Sequence, residues 1–132
     1  MYQILVIDDR IDRLDWFSKT LEAFGYDVRL APDAESALDQ FRETEFDLAF
    51  FDHDLGPGLD GSRLAYQVLN SPRRFKWPKA AWVHTSNTVG AENIAAKFRS
   101  ADVPYHVEPF EVLIKYPEDF RNTVARLLEG AA

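Results

Sequence analysis

Three clusters of acids and histidines stand where apolar runs end. Asp8-Asp9 follows Ile4-Leu5-Val6-Ile7, Asp52-His53-Asp54 follows Leu48-Ala49-Phe50-Phe51, and His84-Thr85-Ser86-Asn87 follows Ala80-Ala81-Trp82-Val83. Carboxylates gathered in this way suit a hard divalent cation, Mg2+ or Mn2+, which takes oxygen ligands and keeps several waters. Such a cation bridges to phosphoryl oxygens and offsets the repulsion between carboxylates and an anionic substrate, leaving a carboxylate or a water free to attack phosphorus. His53 and His84 beside that phosphate would serve as general acid and base, because imidazole titrates near neutral pH. Asn87 would orient an oxygen, and a helix starting near Gly90-Ala91 would offer backbone N–H groups to an anion. A turn or N-cap role for Asp8 and Asp9 leaves Asp52 and Asp54 without a reason. In a regular strand His53 points away from Asp52 unless the backbone turns there.

Such residues converge only if the strands lie side by side. In an open parallel α/β sheet, ligands bind just beyond the carboxyl ends of the strands. Apolar periodicity switches repeatedly between strand-like and helix-like along this chain, and five β/α units follow. Strands are expected over Tyr2 to Asp8, Tyr26 to Ala31, Asp47 to Asp52, Ala80 to Thr85 and Tyr105 to Val107. Between them run helical stripes: Leu14, Phe17, Leu21 and Phe24, stopped by Gly25; Ala34, Ala37, Leu38 and Phe41, capped by Asp33; and Leu64, Ala65, Val68 and Leu69, ended by Pro72. A fourth helix is expected from about Ala91 to Ala101, and Pro117 opens a last one with Phe120, Val124, Leu127 and Leu128 inward. Nearly continuous apolar strands with amphipathic crossovers mean a doubly wound α/β sheet covered on both faces.

At 132 residues the chain can bury roughly two-thirds of its unfolded surface around one core. It has no cysteine, which excludes disulfides and thiolate metal sites. No leader pattern and no apolar stretch near the ~18 residues of a membrane span is present, so a cytoplasmic protein without a membrane partner is expected. A net charge of −7 disfavours non-specific binding to nucleic acid. The basic stretch Arg73-Arg74-Phe75-Lys76-Trp77-Pro78-Lys79 is read as a solvated loop, and Trp16, Phe17, Trp77 and Trp82 as packing residues.

The run from Ile4 to Asp9, the stretch Asp47-Leu48 to Asp52, Pro57-Gly58-Leu59-Asp60-Gly61, Thr85 and Pro109-Phe110 together resemble the receiver domain of response regulators, over essentially the whole chain. The resemblance implies a five-stranded sheet of order 2-1-3-4-5. It implies a phosphoryl acceptor at Asp52, an acidic metal pair at Asp8 and Asp9, a metal-binding backbone carbonyl at Asp54, and a hydroxyl at Thr85 that contacts the phosphoryl group. Its partner would be a histidine kinase and its role phosphorelay signal transduction. After the last helix only Glu129-Gly130-Ala131-Ala132 remain, so residues 1–132 read as one receiver-like domain with no effector domain.

Two departures redirect that expectation. Receivers carry a lysine just before the proline after strand five, whereas here Glu108 precedes Pro109, exchanging a cation for an anion that should approach the pocket. The loop after Asp52 carries an additional Gly56, with His53 and Asp54 where receivers have apolar residues. The strings Asp52-His53-Asp54-Leu55-Gly56 and His84 to Ile94 are similar to the divergent cyclic-phosphate-processing receiver branch. This implies Asp52, His53, His84 and Asn87 as catalytic residues, Thr85 and Ser86 as phosphate contacts, and Asp8, Asp9, Asp52 and Asp54 as ligands for Mg2+ or Mn2+. The expected substrate is a phosphorylated or cyclic-phosphate small molecule or an RNA end, and the expected reaction is hydrolysis of a cyclic phosphodiester.

Overall fold

Strands β1 (Gln3–Ile7), β3 (Leu48–Phe51) and β4 (Ala81–Val83) are almost wholly buried because helices cover both faces of the sheet they form. In the computed structural model, which describes residues 1–130, they alternate with α1 (Ile11–Ala23), β2 (Asp27–Ala31), α2 (Ala34–Glu43), α3 (Gly61–Leu69), α4 (Thr88–Ser100), β5 (Tyr105–Val107), α5 (Phe110–Leu113) and α6 (Pro117–Gly130). All pairings are parallel and the strand order is β2-β1-β3-β4-β5, as the resemblance implies. The tail Ala131-Ala132 lies outside the described residues. Among the described residues no helix is long and apolar enough to cross a membrane.

Side chains alternate across the sheet, so two cores form. Leu5, Ile7, Ala49, Phe51 and Val83 meet α2, α3 and α4 through Phe41, Leu64 and Phe98. Ile4, Val6, Phe50 and Trp82 meet α1 and α6 through Phe17, Phe120 and Val124. Trp82 is fully buried, stacked on Phe50 at 5.3 Å and edge-on to Phe120 at 5.2 Å. Burial of each large apolar side chain of this kind is worth about 1.5–3 kcal/mol.

Local chemistry sets the helix starts and accounts for most departures from the expected limits. Asp33 caps α2 in a reciprocal capping box with Ser36, and Asp60 accepts from the Arg63 N–H to start α3. Helix α4 begins at Thr88, three residues earlier than its apolar stripe suggests, because the Asn87 side chain accepts from the Gly90 N–H. Helix α3 ends at Leu69, short of Pro72, since the residue before a proline is pushed out of helical geometry. The single turn α5 follows Pro109 and is too short to leave a periodic signal. The basic segment is tied down: Lys76 Nζ donates to the Glu43 carbonyl at 3.1 Å, and the Arg42 and Arg74 guanidinium groups lie over the Phe75 ring.

Candidate functional site: a buried acid and histidine cluster at the sheet edge

Ile7, Phe51, Val83 and Val107 share one row across β1, β3, β4 and β5. The hydrogen-bond ladder runs one residue past that row. Asp8 N–H donates to Ala31 O at 3.1 Å, Asp52 N–H to Ile7 O at 3.0 Å, His84 N–H to Phe51 O at 3.1 Å, and Glu108 N–H to Val83 O at 3.0 Å. Register therefore places Asp8, Asp52, His84 and Glu108 side by side on the face that α1 and α6 cover.

Three of these four converge. One ligating atom from each of Asp8, Asp52 and His84 lies within 4.8 Å of the others. His84 Nε2 is 2.8 Å from Asp8 Oδ2, and both residues have no solvent exposure. Asp8 Oδ1 also accepts from the Arg10 N–H at 2.9 Å, and Asp52 Oδ1 accepts from the His53 N–H at 2.9 Å. Asp52 is 4% exposed, the one member of the three with any solvent exposure. Burial raises its carboxyl above the ordinary 3.8; His84 lowers it, Asp8 raises it again, and the His53 N–H and Arg13 lower it.

Glu108 is the fourth, and it does not join them. Its carboxylate is not part of the cluster; instead its charge acts on His106, whose pKa burial lowers and Glu108 raises. A third carboxylate among Asp8 and Asp52 would add like-charge repulsion without a cation to offset it. The Glu108 backbone carbonyl is used structurally, accepting from Trp82 Nε1 at 3.0 Å.

His53 turns to the opposite face from Asp52, as strand alternation requires. Its ring packs against the start of α4 at Gly90, where any side chain would collide with it. Its Nδ1 lies 3.2 Å from Asp54 Oδ1 and 3.4 Å from Asn87 Nδ2, and its Nε2 is 3.8 Å from Asp60 Oδ2. Asn87 is thus engaged twice, as α4 cap and as neighbour of His53. Thr85 is buried, and its hydroxyl accepts from the Asn87 N–H at 3.2 Å. Ser86, Asp9 and Asp54 are exposed, and the two acids stand outside the buried cluster.

Arg13 is a site residue that the motif reading passed over. Its guanidinium lies 3.7 Å from Asp8 Oδ2, donates to Glu111 Oε1 at 2.9 Å and sits 5.0 Å over the Phe110 ring. The signal was its spacing: Arg13 and Phe17 are one helical turn apart, so a charge occupies the pocket end of an apolar stripe.

Positions 4–100 match the family model of the cyclic-phosphate processing receiver domain. The chain belongs to that family. Solved receiver structures show the same fold over nearly the whole length. A receiver domain protein from Methanospirillum hungatei is 24% identical with a TM-score of 0.72, covering 99% of this chain and 96% of that one. The response regulator TrrA from Thermotoga maritima, solved in complex with Mg2+ and BeF, is 23% identical with a TM-score of 0.71, covering 96% and 99%. A two-component response regulator from Clostridium difficile is 19% identical with a TM-score of 0.74, covering 98% and 97%. No curated protein matches the chain in sequence.

The donor set of this receiver domain fits a divalent cation. Asp8 and Asp52 offer carboxylate oxygens in mutual reach. His84 fits less well as a ligand. A metal-bound imidazole normally donates its other N–H to an acceptor, whereas His84 Nδ1 is buried beside Phe17 without a hydrogen-bond partner. The tautomer with hydrogen on Nε2 donates to Asp8 and leaves no buried N–H unpaired.

Proposed function

We propose that this domain holds Mg2+ or Mn2+ on Asp8 and Asp52 and opens cyclic phosphodiesters, such as those at RNA ends, by hydrolysis. The observation that carries the reading is the solvent-free pair of Asp8 and His84, 2.8 Å apart and in register with Asp52. The imidazole donates to that carboxylate and fixes the orientation in which it can accept a proton. When bound, the cation supplies positive charge to the phosphoryl oxygens and lowers the repulsion from the carboxylates. Asp52, the one member with solvent exposure, positions the phosphoryl group. The attacking water forms a new P–O bond and gives a proton to Asp8, whose carboxylate the His84 Nε2–H orients. The ring P–O ester bond breaks, and the departing alkoxide takes that proton back from Asp8, which completes a monoester and a free hydroxyl and regenerates the carboxylate. His53, Asn87 and Asp54 shape the rim in this account; Thr85 and Ser86 are its remaining polar groups. Asp9, exposed beside the cluster, would add carboxylate charge for the cation.

A second reading has an observation of its own. Asp52 directly follows β3 with its Oδ1 held by the His53 N–H, an arrangement in which its other oxygen is free to accept a phosphoryl group from a histidine kinase. The likeness to a response regulator solved with Mg2+ and BeF supports it at the level of fold. Glu108 before Pro109 supplies an anion rather than a cation at the end of β5, which weighs against efficient phosphoryl uptake. RNA ending in a 2′,3′-cyclic phosphate, incubated with the full chain and divalent metal, tests the first reading. Ring opening that requires metal and disappears in Asp52→Asn is the expected result. No ring opening with either metal, together with ready acyl phosphate formation from acetyl phosphate, transfers the protein to the second reading.

A further inference from the structure

We infer that Arg13 is the pocket's anion-gripping residue and that Glu111 holds its guanidinium in reserve until a phosphoryl group arrives. The inference rests on the phosphoryl-binding reading of the pocket and adds to it a specific cation and the contact that regulates it. Charge balance motivates it. Two carboxylates and a divalent cation leave the charge of a bound phosphate without a partner, and β5 contributes Glu108 rather than a positive group. Arg13 is the permanent cation whose charge bears on Asp52.

Its geometry is that of a poised donor. The side chain is only 14% exposed, and Phe110 supports the guanidinium plane at 5.0 Å, so the fork is held at the edge of the cluster. Toward Asp8 it stands at 3.7 Å, an ion-pair separation too long for a hydrogen bond, which leaves donors on the pocket side uncommitted. On the outer side it donates to Glu111 at 2.9 Å, and Glu111 is 52% exposed. A half-exposed carboxylate is rehydrated on release, so exchanging it for a phosphate costs little. The guanidinium fork matches two phosphate oxygens, a geometry that an ammonium lacks. The neighbouring Arg10 offers a contrast: it is exposed, and Asp12 engages it through both carboxylate oxygens at 3.1 and 3.0 Å.

Calorimetric titration of the full chain with inorganic phosphate at saturating Mg2+, and with Mg2+ alone, tests the assignment. Arg13→Gln should weaken phosphate binding about tenfold or more, the loss of a charge-assisted bidentate contact. It should at the same time tighten Mg2+ binding, because a like charge beside Asp8 is gone; a merely structural role predicts no such opposite movement. Arg13→Lys should retain part of the phosphate affinity. Glu111→Gln, at an exposed position away from both cores, should tighten phosphate binding by roughly two- to fivefold as the reserve contact is lost. Phosphate bound equally well by wild type and Arg13→Gln overturns the role of Arg13 and leaves the pocket reading standing. If Arg13→Gln does not fold, unchanged or weaker phosphate binding by Glu111→Gln overturns it instead. Failure of the wild type to bind phosphate at all overturns the pocket reading and this inference together.

Discussion

His84 and His53 belong to the same sheet edge, yet they live in different solvents. His84 has no exposure, touches Phe17 at 5.1 Å between ring centroids, and meets two carboxylates, hydrogen-bonded to Asp8 and within 4.8 Å of Asp52. His53 is partly exposed and stands among Asp54, Asp60 and Asn87 at longer distances. Electrostatic interactions strengthen where water is excluded, so the same imidazole is worth more in the first setting. The contrast follows from strand parity: His84 shares the face of Asp52, whereas His53, its immediate neighbour in sequence, is turned to the other face. Chemistry is thereby assigned to the interior pair and architecture to the rim.

The largest effect expected from that division is kinetic. His84→Ala should lower metal-dependent ring opening by roughly 10² or more, and His53→Ala by less than about tenfold, the difference between the partner of the proton-accepting Asp8 and a rim residue. Equal losses would erase the distinction. His84→Ala should leave Mg2+ affinity unchanged in a direct titration; a drop of about 10-fold to 100-fold would make the imidazole a metal ligand instead.

Two glycines probe the same division through stability. A Cβ at Gly61 would strike the Asp52 backbone carbonyl, which cannot move without displacing the cluster, whereas a Cβ at Gly90 would strike only the His53 ring. Gly61→Ala should cost about 1–3 kcal/mol in chemical denaturation and most of the activity. Gly90→Ala should destabilise by less than Gly61→Ala, because the His53 ring must swing aside and alanine's helix propensity offsets only part of that cost, and its activity should stay near wild type. A severe loss in Gly90→Ala alone would move the weight of the site to His53.

A smaller, pH-dependent effect belongs to Asp52. Burial raises its pKa above 3.8, so the native state binds a proton more readily than the unfolded chain. Its contribution to stability is therefore lost as pH rises from the ordinary carboxylate range through the raised value. Asp52→Asn should melt above the wild type at neutral pH, the gap closing in acid below 3.8 and narrowing when Mg2+ stabilises the wild type. A constant gap across pH would contradict the sign. Smallest of all should be Glu108→Gln: because Glu108 acts on His106, ring opening and Mg2+ affinity should stay within about twofold of wild type, less than the change a direct charge contact produces.

The α/β class and its five units were legible because apolar runs and turn residues alternate so regularly, the strand order came only with the receiver resemblance, and the convergence of Asp8 and Asp52 was legible because both acids follow such runs. The dry pairing of His84 with Asp8 was not legible: whether His84 or Thr85 faces Asp52 depends on a one-residue register, fixed by the bond from His84 N–H to Phe51 O. Asn87 was expected to orient a substrate oxygen, but its position before α4 makes it a cap, and Asx residues at helix starts serve backbone N–H groups first. Glu108 was expected at the pocket by the same alternation that placed Asp52, yet β5 is the edge strand of the sheet and the Glu108 charge bears on His106. Arg13 carried no motif, only a charge on an apolar stripe.

The proposed function is processing of a cyclic phosphate at Asp8, Asp52 and His84 rather than storage of a phosphoryl group on Asp52. Phosphorus NMR of one protein sample with Mg2+ or Mn2+, given a 2′,3′-cyclic nucleotide and acetyl phosphate together, separates the two. Conversion of the cyclic signal to a monoester, with no persistent acyl phosphate resonance, is the expected result. A stable acyl phosphate that vanishes in Asp52→Asn, with the cyclic signal untouched, would contradict it.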